Sequence, residues 1–256
     1  MRNSSYSVAL RNEYILKRIK SIKAEHPFWG YRRVWAYLRY IDGLIVNKKR
    51  IYRLMRENNL TVKPNTRLIA KRVSERPKPR ANKPKEWWGI DMTKVMTDSG
   101  WVYVVIVLDW YTKKIVGHYS GRQARTAEWL EALERALNRE YPQGVRGQGL
   151  KLISDNGSQP TSLSFMKACS NLEVEQVFTS YNNPKGNADT ERMIRTMKEE
   201  LFWLREWKGE AELSLELDKW VEYYNRNYLH SAHGYRSPIQ AEEEYYRNHN
   251  PHKNAA

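Results

Sequence analysis

Residues 87–108 read WWGIDMTKVMTDSGWVYVVIVL, and the fold turns on how that run is parsed. Its first part alternates: Trp88, Ile90 and Met92 share one face, Asp91 and Thr93 the other, as in a β-strand. The segment TDSG carries turn residues, and the apolar run WVYVVIVL after it suits a strand buried on both faces. A third strand is expected in KIVGHYSG, past the turn around Lys113. The stretch also contains an anomaly. Aspartate is depleted within strands, and an ionised Asp in a central strand is costly unless it is solvated, paired or bound to a metal. Asp91 is therefore the strongest single functional clue here.

Toward the C-terminus, apolar residues Trp129, Leu130, Leu133 and Leu137 predict a helix over 126–140. KLIS is a short strand ending at Asp155, followed by a helix over 162–170 and a strand at VEQVF. Three sequential strands, then helix, strand, helix, strand and helix, make an α/β layer with a mixed sheet. Further helices are expected over 213–228 and 238–247. Asp155 sits in SDNGSQ, where Asn156-Gly157 must turn sharply. An aspartate there serves a turn as readily as a site.

The segment 183–207, NPKGNADTERMIRTMKEELFWLREW, reads as a loop and a long helix carrying Asp189, Glu191, Glu199, Glu200 and Glu206. At about 100° per residue, Met193, Ile194, Met197, Leu201 and Leu204 form the buried stripe. Glu191, Arg195 and Lys198 project together at the edge of that face, whereas Asp189 and Glu200 point to the far side. At ~1.5 Å per residue, Glu199 and Glu206 lie about 12 and 22 Å further along the axis. Glu191 is also near the Gly/Pro-containing loop YNNPKGN, a suitable active-site flank. Asp189 reads as a first-turn acid complementing the helix dipole. The geometry prefers Glu191.

Toward the N-terminus, Tyr14, Ile15, Ile19 and Ile22 recur at helical spacing, and Val34, Trp35, Leu38 and Ile41 form a second set. DGLIVNKKRIYRLMRENNL then offers a turn, Asn47 as N-cap, and Ile51, Leu54 and Met55 inward. Lys48, Lys49, Arg50, Arg53 and Arg56 are its outward positions. A turn leading into a helix with a basic outer face is what helix-turn-helix DNA binding requires. Arg32 and Arg33 extend the basic surface of this region. Over 61–86 the periodicity fails among four prolines, nine Lys/Arg and two acids, a basic linker suited to tracking a nucleic-acid backbone.

Charge agrees with this division. The 256-residue chain has a net charge of +15, yet residues 1–86 hold 23 Lys/Arg against six Asp/Glu, and the rest 21 against 23. All the excess positive charge is in the first third, as in a polyanion-binding module joined to something else. Cys169 is the only cysteine, which excludes an intramolecular disulfide and a cysteine-based zinc site. The N-terminus lacks an apolar leader-like core and no stretch approaches bilayer length. A cytoplasmic protein with no membrane role is expected. Three carboxylates without cysteine ligands or a histidine cluster suit two Mg²⁺ ions, with Mn²⁺ as a substitute, rather than zinc.

Three stretches, WWGIDMT, LISDNGSQPTSLSF and GNADTERMIRTMKEE, resemble the DDE catalytic core shared by bacterial insertion-sequence transposases and retroviral integrases. Thirty-five residues, 156–190, separate Asp155 from Glu191, the interval characteristic of that group. HPFWGYRRVWAYLRY…VNKKRIYRLMRENNL resembles the helix-turn-helix segment of the catalytic, second-frame protein of two-frame insertion sequences. YYNRNYLHSAHGYRSP resembles that family's C-terminal signature, departing from it at Tyr228, Leu229 and His233. The resemblance implies an RNase H-like fold and two-metal DNA strand cleavage and joining. It makes Asp91, Asp155 and Glu191 both catalytic residues and metal ligands, while Arg195 and Lys198 are expected as DNA contacts from their position beside Glu191. Asp109 is the rival carboxylate, read as structural or substrate-positioning.

The expected organisation is a helical DNA-binding region (1–60), a linker (61–86), the catalytic core (87–210) and a helical extension (211–256). Expected partners are double-stranded DNA (the element's terminal inverted repeats and its target), a second copy of the chain, and a first-frame protein or upstream fusion. Two alternatives use the same features differently. A non-catalytic DNA-binding regulator or inhibitor of transposition needs only the basic third, and an RNA–DNA hybrid nuclease needs no end-recognising helix-turn-helix.

Overall fold

The computed structural model describes residues 6–62, 79–179 and 186–249. The chain divides into two compact units, Met1–Lys71 and Arg72–Ala256. Most of the expected basic linker, and all of the YNNPKGN loop before Gly186, lie outside the described residues.

The first unit is three helices: α1 (Tyr6–Glu25), α2 (Tyr31–Tyr40) and α3 (Lys48–Glu57). Ile15, Ile19 and Ile22 of α1, Val34, Ala36 and Leu38 of α2, and Ile51, Leu54 and Met55 of α3 are buried. The Asn47 side chain accepts a hydrogen bond from the Lys49 amide at 2.8 Å and starts α3. Asp42, in the turn after α2, takes two hydrogen bonds from Arg18 of α1 at 2.7 and 2.8 Å. Three expected inward positions are not inward. Tyr14 and Ile41 are more than half exposed, and Ala36 takes the inner place given to Trp35, whose half-buried indole instead donates to the Val46 carbonyl at 2.7 Å.

The second unit is built on a five-stranded sheet in the order β3-β2-β1-β4-β5. Its strands are β1 (Trp87–Thr97), β2 (Gly100–Asp109), β3 (Ile115–Gly121), β4 (Lys151–Ser154) and β5 (Glu175–Phe178). The first three form an antiparallel meander, while β4 and β5 run parallel to β1. Helices α4 (Thr126–Glu140) and α5 (Leu163–Asn171) bury Trp129, Leu133 and Phe165 against Trp88, Ile90, Val105 and Val107. The helix α6 (Ala188–Met197) packs on β1 and β2. This mixed sheet with flanking helices is an RNase H-like arrangement.

The expected long helix after residue 187 is shorter. Beyond Met197 the chain makes a π-helical turn, Lys198–Phe202, and bends. The inserted residue rotates the face, so Phe202 is buried where the 3.6-residue period had Leu201; Trp207, in the irregular stretch after the helix has ended, is buried as well. Leu204 is 43% exposed.

Two C-terminal helices follow, α7 (Glu210–Asn227) and α8 (Pro238–His249). The signature YYNRNYLHSAHGYRSP clasps the β2–β3 turn. The Asn225 carboxamide accepts from the Ile115 amide and donates to the Ile115 carbonyl, both at 2.9 Å, and so replaces a neighbouring strand. Tyr224 donates its hydroxyl proton to the Lys113 carbonyl at 3.0 Å and lies 2.7 Å from His230 Nε2. Lys114 Nζ is buried 2.7 Å from both Glu140 of α4 and Glu242 of α8, and Glu140 also pairs with Lys85 at 3.2 Å.

Candidate active site

The sheet brings the two aspartates onto neighbouring strands. β1 and β4 pair in parallel with Trp87 opposite Lys151, Trp88 opposite Leu152 and Gly89 opposite Ile153. Continuing that register by two residues sets Asp91 beside Asp155, just past the end of β4. On its other side Asp91 is held in the ladder opposite Ile106. Asp155 Oδ1 accepts the Gly157 amide at 3.0 Å, an Asx turn that carries the chain away from the strand end.

The third acid is delivered by the seat of α6. A Cβ on Gly89 would lie 2.0 Å from Thr190 Oγ1, 2.5 Å from Trp110 Nε1 and 2.9 Å from Asn187 Oδ1. The missing side chain thus allows the first turn of α6 to rest on β1. Trp110 Nε1 donates to Thr190 Oγ1 at 3.1 Å, and the Asn187 amide group donates to the Ile90 carbonyl at 3.4 Å. Lys113 Nζ pairs with Asp189 at 3.0 Å. Glu191 follows on the exposed side of this pinned turn.

The electrostatics of Asp91 record the convergence. Burial pushes its carboxyl up, the Met92 amide at 2.8 Å opposes this, and the charges of Asp155 and Glu191 raise it further; Lys198 pulls down. The result is a carboxyl pushed up to about 7 from 3.8. Asp91 thus lies within the field of the other two acids. Among the described residues, no group of three His, Cys, Asp or Glu side chains is close enough to grip an ion. Carboxylate oxygens are what Asp91, Asp155 and Glu191 have to offer, a chemistry that suits a hard divalent cation.

The remaining acids have other roles. Asp109 is buried and accepts five hydrogen bonds, from the Lys85, Tyr111 and Thr112 amides, Trp88 Nε1 and Thr112 Oγ1, at 2.7–3.2 Å. With its lone pairs committed, it ties the start of the core to the β2–β3 turn. Asp189 stands in the first turn of α6, as a helix-dipole acid does, and also pairs with Lys113. Glu199 pairs with Arg195 at 2.9 Å, an i,i+4 pair on the exposed face of the helix. Lys198 is half-buried and within electrostatic reach of Asp91.

In the first unit, Arg32, Lys48, Lys49, Arg53 and Arg56 are exposed. The Arg33 guanidinium lies 5.6 Å above the Trp29 ring, and Lys48 Nζ 4.0 Å above Trp35. Arg53 is loosely paired with Glu57 at 3.9 Å. Arg50 corrects its outward assignment: its guanidinium turns in and donates twice to Asn12 of α1, at 2.7 and 2.9 Å. Sequence reasoning also passed over Gly89, Trp110, Thr190 and Lys113, which seat α6. The one available signal was a glycine inside a strand.

Residues 81–184 match the family described as "Integrase core domain", and a second family of that description matches 172–238. Residues 9–67 match "HTH-like domain". The transposase for insertion sequence element IS629 of Shigella sonnei is 29% identical over 248 residues, 93% of this chain and 82% of the relative. The chain belongs to the insertion-sequence transposases with an integrase core. The transposase for IS904 of Lactococcus lactis is 28% identical over 247 residues, 91% of this chain and 95% of that relative. The enzyme is thus a DDE-type polynucleotidyl transferase of DNA transposition. Its fold is shared with a chain of a simian T-cell lymphotropic virus intasome, 15% identical, covering 81% of this chain and 73% of that one at TM-score 0.53. No helix among the described residues is long and apolar enough to cross a membrane.

Proposed function

We propose that Asp91, Asp155 and Glu191 form the metal-holding centre of this transposase and act on the ends of its insertion sequence. The observation that carries the reading is the raised carboxyl of Asp91, on which act the charges of the two acids that the β1–β4 register and the α6 seat bring toward it. A divalent ion pair, Mg²⁺ or Mn²⁺, would activate the attacking water or 3′-hydroxyl and stabilise the leaving oxygen at the phosphodiester. The chain's own part is to supply oxygen donors from two strands and a helix and to keep Asp91 in the ladder, where it cannot swing away. Lys198, within electrostatic reach of Asp91, favours a phosphate approaching the same place.

The exposed cations of α2 and α3 (Arg32, Lys48, Lys49 and Arg53) would hold double-stranded DNA, the element's terminal inverted repeats and its target. Arg33 and Arg195 are further candidate contacts. Two ends must be brought together, so a homo-oligomer of at least two copies is the working form, with a first-frame protein as partner or upstream fusion.

The test is incubation of the chain with Mg²⁺ and its element-end DNA, beside Glu191→Gln. Nicking and joining by the parent and none by the variant is expected; equal activity in both would overturn the role of Glu191. A chain inert alone is assayed in its upstream-fused form. A DNA-binding regulator without chemistry would bind ends in both variants and cut in neither.

A further inference from the structure

A cleft of about 540 Å³ lies where the ladder between β1 and β4 has ended, along β1 beyond Gly89. Its walls are the β1–β2 hairpin and the π-helical turn with the bend after it. Four aromatic rings line it: Phe202 and Trp207 are buried, while Trp101 and Trp203 are 42% and 61% exposed. Lys94, Lys198 and Arg205 outnumber the lining acids Asp98 and Glu206. Lys94 Nζ lies 4.4 Å over the Trp101 ring and Arg205 Cζ 4.2 Å over Trp207. Exposed indoles beside cations are expensive for a monomeric surface and are what single-stranded nucleic acid requires: π-faces for bases and charges for phosphates.

We infer that this cleft holds an unpaired stretch of DNA strand, its bases stacked on Trp101 and Trp203 and its phosphates met by Lys94 and Lys198. The location gives the reason. Lys198 both lines the cleft and lies in reach of Asp91, so a strand held there is next to the bond to be cut. Opening the last base pairs of a DNA end frees the strand that must enter a site set among three acids. The cleft supplies stacking to offset the lost pairing. This placement rests on the proposed acidic centre; the binding itself does not.

The experiment uses the full chain in chelator, so no cleavage is needed. Fluorescence anisotropy compares a short polythymidine oligonucleotide with a duplex of matched length. The salt is set high enough to suppress binding by backbone charge alone. Trp203→Ala and Trp101→Ala are expected to weaken single-strand binding by about 5- to 50-fold and duplex binding by less than about twofold. Trp203→Phe, which keeps a stacking face, is expected to retain most of the affinity and so separates stacking from misfolding. Single-strand affinity unchanged in both alanine variants, or equal loss toward single strand and duplex, overturns the proposal. So does a change confined to self-association, which would make the cleft a contact between copies. Loss of Mg²⁺-dependent nicking in the Glu191→Gln test leaves this result untouched, and the reverse also holds.

Discussion

Gly89 and Thr190 stand so close that a methyl group on the glycine would come within 2.0 Å of the threonine hydroxyl. The same methyl would meet the Trp110 indole nitrogen that donates to this hydroxyl. The distance between β1 and α6, and with it the reach from Asp91 to Glu191, is set by that contact. Gly89→Ala is expected to destabilise the enzyme by about 1–3 kcal/mol, the usual cost of overpacking. Strand nicking should fall further than the loss of folded protein explains, because α6 is moved off its seat. Urea unfolding and nicking of element-end DNA check this together; a variant normal in both would show that the helix slides away freely.

Asp91 makes the metal-free enzyme sensitive to pH. The folded-state carboxyl is raised to about 7 from 3.8, so the fold prefers the neutral form. That preference is fully present below the ordinary value and is lost as pH rises through about 7. In chelator, stability should therefore fall between roughly pH 4 and pH 7. Asp91→Asn, neutral throughout, is expected to exceed the parent by about 2 kcal/mol at alkaline pH, discounting the full shift for partial solvation, and to match it in acid. Denaturation midpoints at the two pH values decide the matter. An Asn variant no more stable than the parent at alkaline pH would remove the strain from this carboxyl.

Lys114 lies buried between Glu140 and Glu242 and joins the start of β3 to α4 and α8. Lys114→Met leaves two carboxylates facing each other without a shared cation. It is expected to cost about 3–5 kcal/mol, typical for breaking a buried ionic set from one side. Glu242→Gln should cost less, because Lys114 still pairs with Glu140 at 2.7 Å. Thermal midpoints of the two variants give the comparison, and equal losses would contradict this ranking.

The cations of α3 divide into two kinds. Lys49→Ala and Arg53→Ala are each expected to lower the salt slope of duplex binding by about 1, as loss of one phosphate contact does. Arg50→Ala should instead lower the melting temperature of the first unit, since its guanidinium is spent on Asn12. Salt titrations beside melting curves distinguish the two. An Arg50 variant with normal melting and a reduced slope would return this residue to the DNA.

Local pattern carried much of the reading. The alternation in WWGIDMTKV, the apolar run of β2 and the helical period over 126–140 each report burial on a scale of a few residues. That is the scale on which side-chain direction repeats. An aspartate inside such a strand is costly wherever the strand lies, so Asp91 was conspicuous before any contact was known. The three-helix N-terminal unit was equally legible, down to Asn47 at the start of α3.

What the pattern could not carry was anything requiring two distant segments at once. The protonation of Asp91 depends on burial and on Asp155 and Glu191, which come near only through a parallel register and a glycine seat. Arg50 looked outward by helical angle, but a partner 38 residues away turned it inward. One residue added to the helix after Met197 moved burial from Leu201 to Phe202, because a fixed 3.6-residue period cannot anticipate a π-turn, and the helix then ended before Leu204. Sequence alone therefore determined which elements form and which acids are out of place. The tertiary structure decided which of those acids share a field, since proximity across a sheet is a property of packing between segments that no local period encodes.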